Sequence, residues 1–157
     1  MKIAAGLAGG IAGTLTVAAI HEALIRITPD APRMDRLDME LIQKGLKHLN
    51  KEVPAADDLQ RWAVGGELFC DTAYYSLTAI GGKKGVWLRG TLLGLVAGVT
   101  AVVLPEPLGL SQKWSNKTVA TQLMTIGLYV AGGLVAAAVT KLVDATQTSG
   151  EMQTAFY

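Results

Sequence analysis

The sequence predicts an all-α membrane protein: a four-transmembrane-helix bundle with an amphipathic interfacial helix between helices 1 and 2. Three observations predict it. The chain of 157 residues is 50% hydrophobic and only 17% charged, against about a quarter charged in ordinary soluble domains, and its mean hydropathy is +0.34. The charge is bunched in one internal segment, leaving long stretches nearly bare. Glycine is abundant, at 18 residues, and recurs at four-residue spacing inside the apolar runs. The length fits a single domain.

The first span is read as Ile3–Ile27. Its opening eighteen residues carry no charge, and the polar pair His21-Glu22 then interrupts the run. As a helix it would be about 37 Å long, enough to cross a bilayer with some tilt. Met1-Lys2 and Val17-Ala18-Ala19 also have the look of a signal-peptide start and cleavage site; the segment is taken as a retained span.

Between the first and second spans, 28–60 is the soluble-looking piece. Seven basic residues, counting Arg26 and Arg61 with it, balance seven acidic ones. Asp30-Ala31-Pro32-Arg33 reads as a turn and helix start. Leu37, Leu41, Ile42, Leu46 and Leu49 then recur at helical spacing, with Asp38, Glu40, Lys44 and Lys47 on other faces. An amphipathic helix over 33–50 follows, with Gly45 its weak point, placed on the membrane surface or capping the bundle. Lys51 to Asp58, with Pro54, reads as a loop.

The second span, 61–80, has the length and an interfacial Trp62, yet contains Glu67 and Asp71. A central carboxylate costs up to roughly 3 kcal/mol on insertion. It spans only if other helices shield its acids; the alternative is three spans with 61–80 in the interface. The third span, 86–104, is apolar except for Arg89 and is closed by Pro105-Glu106-Pro107, which cannot continue a helix. The fourth, 119–143, is charge-free until Lys141, and 146–157 reads as a loose polar tail. Trp87 and Trp114 read as interfacial anchors, Arg89 as a snorkelling structural residue, and His48 as solvated. Lysine and arginine counts of nine against five place the first and third loops in the cytoplasm and both termini outside.

Gly6, Gly9, Gly10 and Gly13 make two GxxxG pairs in the first span; Gly90, Gly94 and Gly98 make consecutive steps in the third, and Gly132 stands in the small-residue face of the fourth. Small residues let helix backbones approach in a bilayer, where the hydrophobic effect does not drive helix association. Such faces serve either a homo-oligomer interface or packing within one subunit.

The polar residues of the spans carry whatever chemistry there is. Glu67 and Asp71, at i and i+4, point the same way, with Cys70, Tyr74 and Tyr75 beside them. Antiparallel pairing would put His21 and Glu67 both about 9 Å inside the same interface. Glu22, which has its own i+4 partner in Arg26, and Gln122 would lie nearby. The expected cluster of His21, Glu22, Glu67, Asp71 and Gln122 is an ion or proton site, a metal site or a headgroup pocket on one reading, and a structural hydrogen-bond network on the other. Lone Cys70 excludes an internal disulfide and a multi-cysteine zinc site. No HExxH motif, phosphate loop or nucleophile triad occurs, and two histidines at different depths do not make a bis-histidine haem. No metal site or cofactor is therefore assigned. A net charge of +1 gives no reason to expect a nucleic-acid partner.

The opening Gly6-Leu-Ala-Gly-Gly-Ile-Ala-Gly-Thr14 followed by His21-Glu22, with the later Trp87-Leu-Arg-Gly90, Gly94 and Gly98 run, resembles small, glycine-rich, polytopic bacterial inner-membrane proteins of unassigned function. The resemblance implies an inner-membrane location and carries over no site residues. The expected partners are the lipid bilayer and other membrane subunits or a second copy. The expected role is non-enzymatic: an accessory or scaffold subunit packing through its glycine faces in a homo-oligomer or larger complex. The alternative is a small transporter or channel using the Glu67/Asp71 stripe.

Overall fold

A computed structural model describes the backbone of residues 3–154 and the side chains of 3–147. Met1 and Lys2, read as a basic start, and the closing Phe156-Tyr157 lie outside the described residues. The chain is all helix and turn: α1 Ile3–Ile27, α2 Met34–His48, α3 Ala56–Ser76, α4 Val86–Val103 and α5 Val119–Thr154, with a 3-10 turn at Leu77–Ala79. Three helices, α1, α4 and α5, are long and apolar enough to cross a membrane, which marks a multi-pass membrane protein. α3 runs beside them but is less apolar, because of its two glycines and its acids, so three candidate spans are shown and a fourth is not. The segment 146–154, read as a loose tail, continues α5 as helix, giving an element about 54 Å long, longer than a bilayer core.

Local signals explain where the helices stop and start. α1 ends at Thr28-Pro29. α2 ends in a Schellman motif: Asn50 takes φ 54°, its N–H donates to Lys47 O, and the Lys51 N–H reaches back to Leu46 O. Asparagine tolerates that left-handed conformation better than most residues. α4 begins after Gly85, and α5 begins where the Thr118 hydroxyl accepts the Thr121 N–H at 3.1 Å, an N-cap.

α5 is the central post, with α1 against one flank and α4 against the other. The glycines set both contacts. A Cβ on Gly13 would come within 2.8 Å of Gly132 O, on Gly94 within 2.6 Å of Tyr129 O, and on Gly98 within 2.7 Å of the Ile126 Cα. Gly90 lies directly against Gly133, and Gly9 against Ala136 and Thr140. Gly6 and Gly10 face Ala79, Ser76 and Thr72 of the α3 arm. Every glycine singled out as a packing residue is thus used within the chain. Of the two uses expected of these faces, packing within one subunit is the one these contacts make.

α3 runs antiparallel to α1, with Thr72 Oγ1 donating to Thr14 Oγ1 at 3.2 Å. Its far end is tied in by tyrosines. The Tyr75 hydroxyl donates to Tyr129 O at 2.7 Å and the Tyr74 hydroxyl to Leu93 O at 2.9 Å. Tyr75 is fully buried, beside Val17, Leu128 and Ala136. The near half of α3 is held by α2, whose Met34 and Leu37 join the same core with Leu110. α2 therefore acts as a wedge at one end of the bundle. At the opposite end, Arg89 gathers the loop after the 3-10 turn by donating to the carbonyls of Thr78 (3.0 Å), Lys84 (3.1 Å) and Gly82, and Lys83 pairs with buried Asp144 at 3.1 Å. Arg89 is a loop clamp.

Candidate functional site

The α2 wedge decides where the polar residues go. α1 and α3 pair in the expected direction, but the segment between them takes His21. Its Nε2 lies 3.1 Å from Pro32 O and 3.2 Å from the Met34 N–H, with Asp35 Oδ1 at 3.9 Å. α2 has no side-chain cap of its own at Arg33. Nε2 serves one of these contacts at a time: protonated, it donates to Pro32 O; bare, it accepts the first N–H of α2 and caps that helix from another element. Buried in this seam, it is a structural residue of the α1–α2 connection.

The rest of the expected cluster disperses. Glu22 is exposed and accepts from Arg26 Nε at 2.9 Å and Nη2 at 2.7 Å. Gln122 donates to Asn116 at the start of α5. Only Glu67 and Asp71 stay together, and their near neighbour is Asp38 of α2. Asp38 is expected from the sequence on a face away from the apolar stripe of α2, and the expected polar cluster does not include it. Its signal was available: Met34, Asp38 and Leu41 are spaced i, i+4, i+7, which puts Asp38 on the same helix face as two apolar residues.

Asp38 and Asp71 border a lateral cleft of about 410 Å³; Glu67 is a neighbouring charge and not part of its lining. α2 supplies Met34, Leu37 and Asp38; α3 supplies Cys70, Asp71 and Tyr74; α4 presents an apolar wall through Val96, Ala97 and Ala101. The turn from Leu104 to Leu110 closes one end and Tyr129 of α5 lies at the back. The cleft exists because α3 meets α4 only near its far end, where Tyr74 reaches Leu93; nearer α2 the two helices diverge. Its volume falls in the range of small-molecule sites, roughly 300 to 1,000 Å³, and its apolar lining with a few polar groups is typical of them.

The electrostatics are one-sided. Burial pushes the Asp38 carboxyl up to about 7, and the negative charges of Asp71 and Asp35 push in the same direction. On the outer side of α2 the same turn is ordinary: Arg33 holds Asp35 by two bonds, at 2.9 and 2.7 Å, which counter the effect of burial and keep that carboxyl below its usual range. Asp71 Oδ2 is enclosed with no hydrogen-bond partner among the described residues. A carboxylate so placed is costly unless it is protonated or matched by a cation. The cleft is an apolar slot with an uncompensated acidic wall, suited to a positive charge on an apolar body or to a proton. Among the described residues no group of three or more His, Cys, Asp or Glu side chains is arranged to hold a metal ion. Comparison with protein-family models, with curated proteins and with solved structures finds no match to this chain.

Proposed function

We propose that this is a non-enzymatic multi-pass protein of the bacterial inner membrane that binds a small amphiphilic cation in the lateral cleft, as the binding step of a small transporter. The α2 end faces the cytoplasm in this reading. The observation that carries it is Asp71, with a carboxylate oxygen enclosed and unpartnered among the described residues, in the wall of a largely apolar cleft of about 410 Å³ that it shares with Asp38. A cationic headgroup would supply the missing partner while its apolar body replaced lipid or water against α4. The volume favours a compact ligand over a partner helix, which would need a long groove. An accessory-subunit role would have to use a surface other than the glycine faces, which pack inside the chain.

The test is binding of tetraphenylphosphonium to the full chain in nanodiscs, with neutral triphenylphosphine oxide as the uncharged control. Wild type should bind the cation at least about tenfold more tightly than the control. Asp71→Asn and Asp38→Asn should each narrow that difference, and the pair should abolish it. Equal binding of cation and neutral analogue by wild type, or an undiminished preference in the double variant, would overturn the proposal. Flux of the same cation into liposomes then separates a transporter from a static binder.

A further inference from the structure

A second cavity, of about 640 Å³, opens on the other side of α2. Its floor is the stripe Arg36, Glu40, Lys44 and Lys47 with Met39 and Gln43; one wall is the entry to α3 at Val53, Pro54 and Leu59, and the other is the Ser111–Trp114 turn with Lys113. Four cations therefore line it against one carboxylate. That carboxylate is already engaged: Glu40 accepts the Ser111 N–H at 3.1 Å and the Trp114 Nε1–H at 2.8 Å, and lies 3.7 Å from Lys44 Nζ. Lys44 also donates to Gly109 O. Glu40 and Lys44 thus pin α2 to the turn, and the remaining cations are left facing the cavity. Among the described residues the ion pair of Arg36 is a long contact, 3.6 Å, to Asp35, an acid already gripped by Arg33. Lys113 Nζ sits 4.3 Å from the Trp114 ring centroid. Lys47 has no ion pair among the described residues.

We propose that this cavity is a site for the phosphate of an anionic phospholipid headgroup. Convergent lysine and arginine side chains recognise phosphate through charge and charge-assisted hydrogen bonds, and basic pockets beside membrane helices are where anionic headgroups are held. The apolar part of the lining, Met39, Val53, Pro54 and Leu59, is what separates a lipid from a free ion: it would cover the glycerol and first acyl carbons, which an inorganic phosphate lacks. The position agrees. The cavity lies at the end of the bundle where α1 finishes and α5 begins, beside Trp114, a residue type that settles at the headgroup level. α2 would then be a two-sided element, with Asp38 facing the acidic cleft and Arg36 and Lys47 facing lipid phosphate. This site does not depend on the cation-binding reading of the cleft.

The experiment is delipidation of the full chain followed by native mass spectrometry, with phosphatidylglycerol and phosphatidylcholine offered in equal amounts. Wild type should retain phosphatidylglycerol about tenfold over phosphatidylcholine, and Lys47→Gln with Lys113→Gln should remove most of that preference. Arg26→Gln with Lys51→Gln makes the same charge change at the same end of the molecule but outside the cavity, and should leave the preference intact. Equal retention of the two lipids, or a preference that survives the cavity variant, overturns the proposal. So does equal loss in the control variant, which would make the effect a general surface charge. Displacement of the lipid by millimolar pyrophosphate would overturn the lipid assignment in favour of a soluble phosphate.

Discussion

Replacing Gly94 by alanine tests the way the bundle is held together. A Cβ at that position would sit 2.6 Å from both Tyr129 O and the Val130 Cα, and ordinary contact begins near 3.4 Å. Both obstacles are backbone, so no rotamer change can relieve them and α4 must move off α5 by about 0.8 Å. A gap of that size forfeits a quarter to a half of each dispersion contact, each worth about 0.1 to 0.2 kcal/mol. Over some 20 to 30 atom pairs along the Gly90, Gly94 and Gly98 face, the loss comes to roughly 1 to 2 kcal/mol. Residual strain adds about 1 to 3 kcal/mol, and the better helix propensity of alanine returns up to about 1 kcal/mol. The net expectation is a destabilisation of about 1 to 5 kcal/mol. Gly127→Ala is the internal control, because a Cβ there meets nothing within 4 Å; it should be neutral or stabilising by up to about 1 kcal/mol. Reversible unfolding in mixed detergent micelles, followed by tryptophan fluorescence, measures both. Equal effects of the two substitutions, or a neutral Gly94→Ala, would refute the close α4–α5 approach. If Gly94→Ala leaves stability unchanged but splits an oligomer, the face serves assembly after all.

Two further outcomes follow from the polar residues. Asp38 has its carboxyl raised from 3.8 to about 7, so the folded state holds a proton that the unfolded state has already released. Its contribution is fully favourable below pH 3.8 and is lost as pH rises to about 7, a range worth about 4 kcal/mol at ~1.4 kcal/mol per pH unit. Asp38→Asn should therefore stabilise the fold increasingly from pH 5 to pH 8, by an additional 2 to 3 kcal/mol or so, in the same micellar unfolding assay; a pH-independent difference would sink this assignment. His21→Leu keeps an apolar side chain in the seam but removes the acceptor for the Met34 N–H, and should cost about 1 to 2 kcal/mol. Amide hydrogen exchange should rise locally over 33–37 and stay unchanged in α4; protection that does not change there would show that His21 does not cap α2.

Much of the architecture was legible in the chain because a bilayer imposes simple demands on composition. Runs such as Ile3–Ile27 and 86–104 have one physical use, and Pro105 marks the end of the second by what proline cannot do. The amphipathic spacing of Leu37, Leu41, Ile42 and Leu46 was enough to draw α2. GxxxG steps announced close helix contact, since small side chains have that consequence wherever they stand in register. Partner identity is another matter: a glycine face carries no label for what it meets, and only the folded chain shows Gly94 against Tyr129 and Gly9 against Thr140.

Depth along a helix is also readable, since each residue advances a fixed rise, and on depth alone His21 and Glu67 belonged together. What sequence spacing cannot supply is the azimuth of each side chain and the identity of any third element inserted between two helices. The start of α2 is that element here. It claims His21 for its own first N–H, brings Asp38 to Glu67 and Asp71, and keeps α3 away from α4, which opens the cleft. The sequence by itself determined that carboxylates would lie within an apolar bundle, because hydropathy is a local property. Only the tertiary structure decided which carboxylates meet and whether a cation lies beside them, because charge pairing depends on distances between residues far apart in the chain.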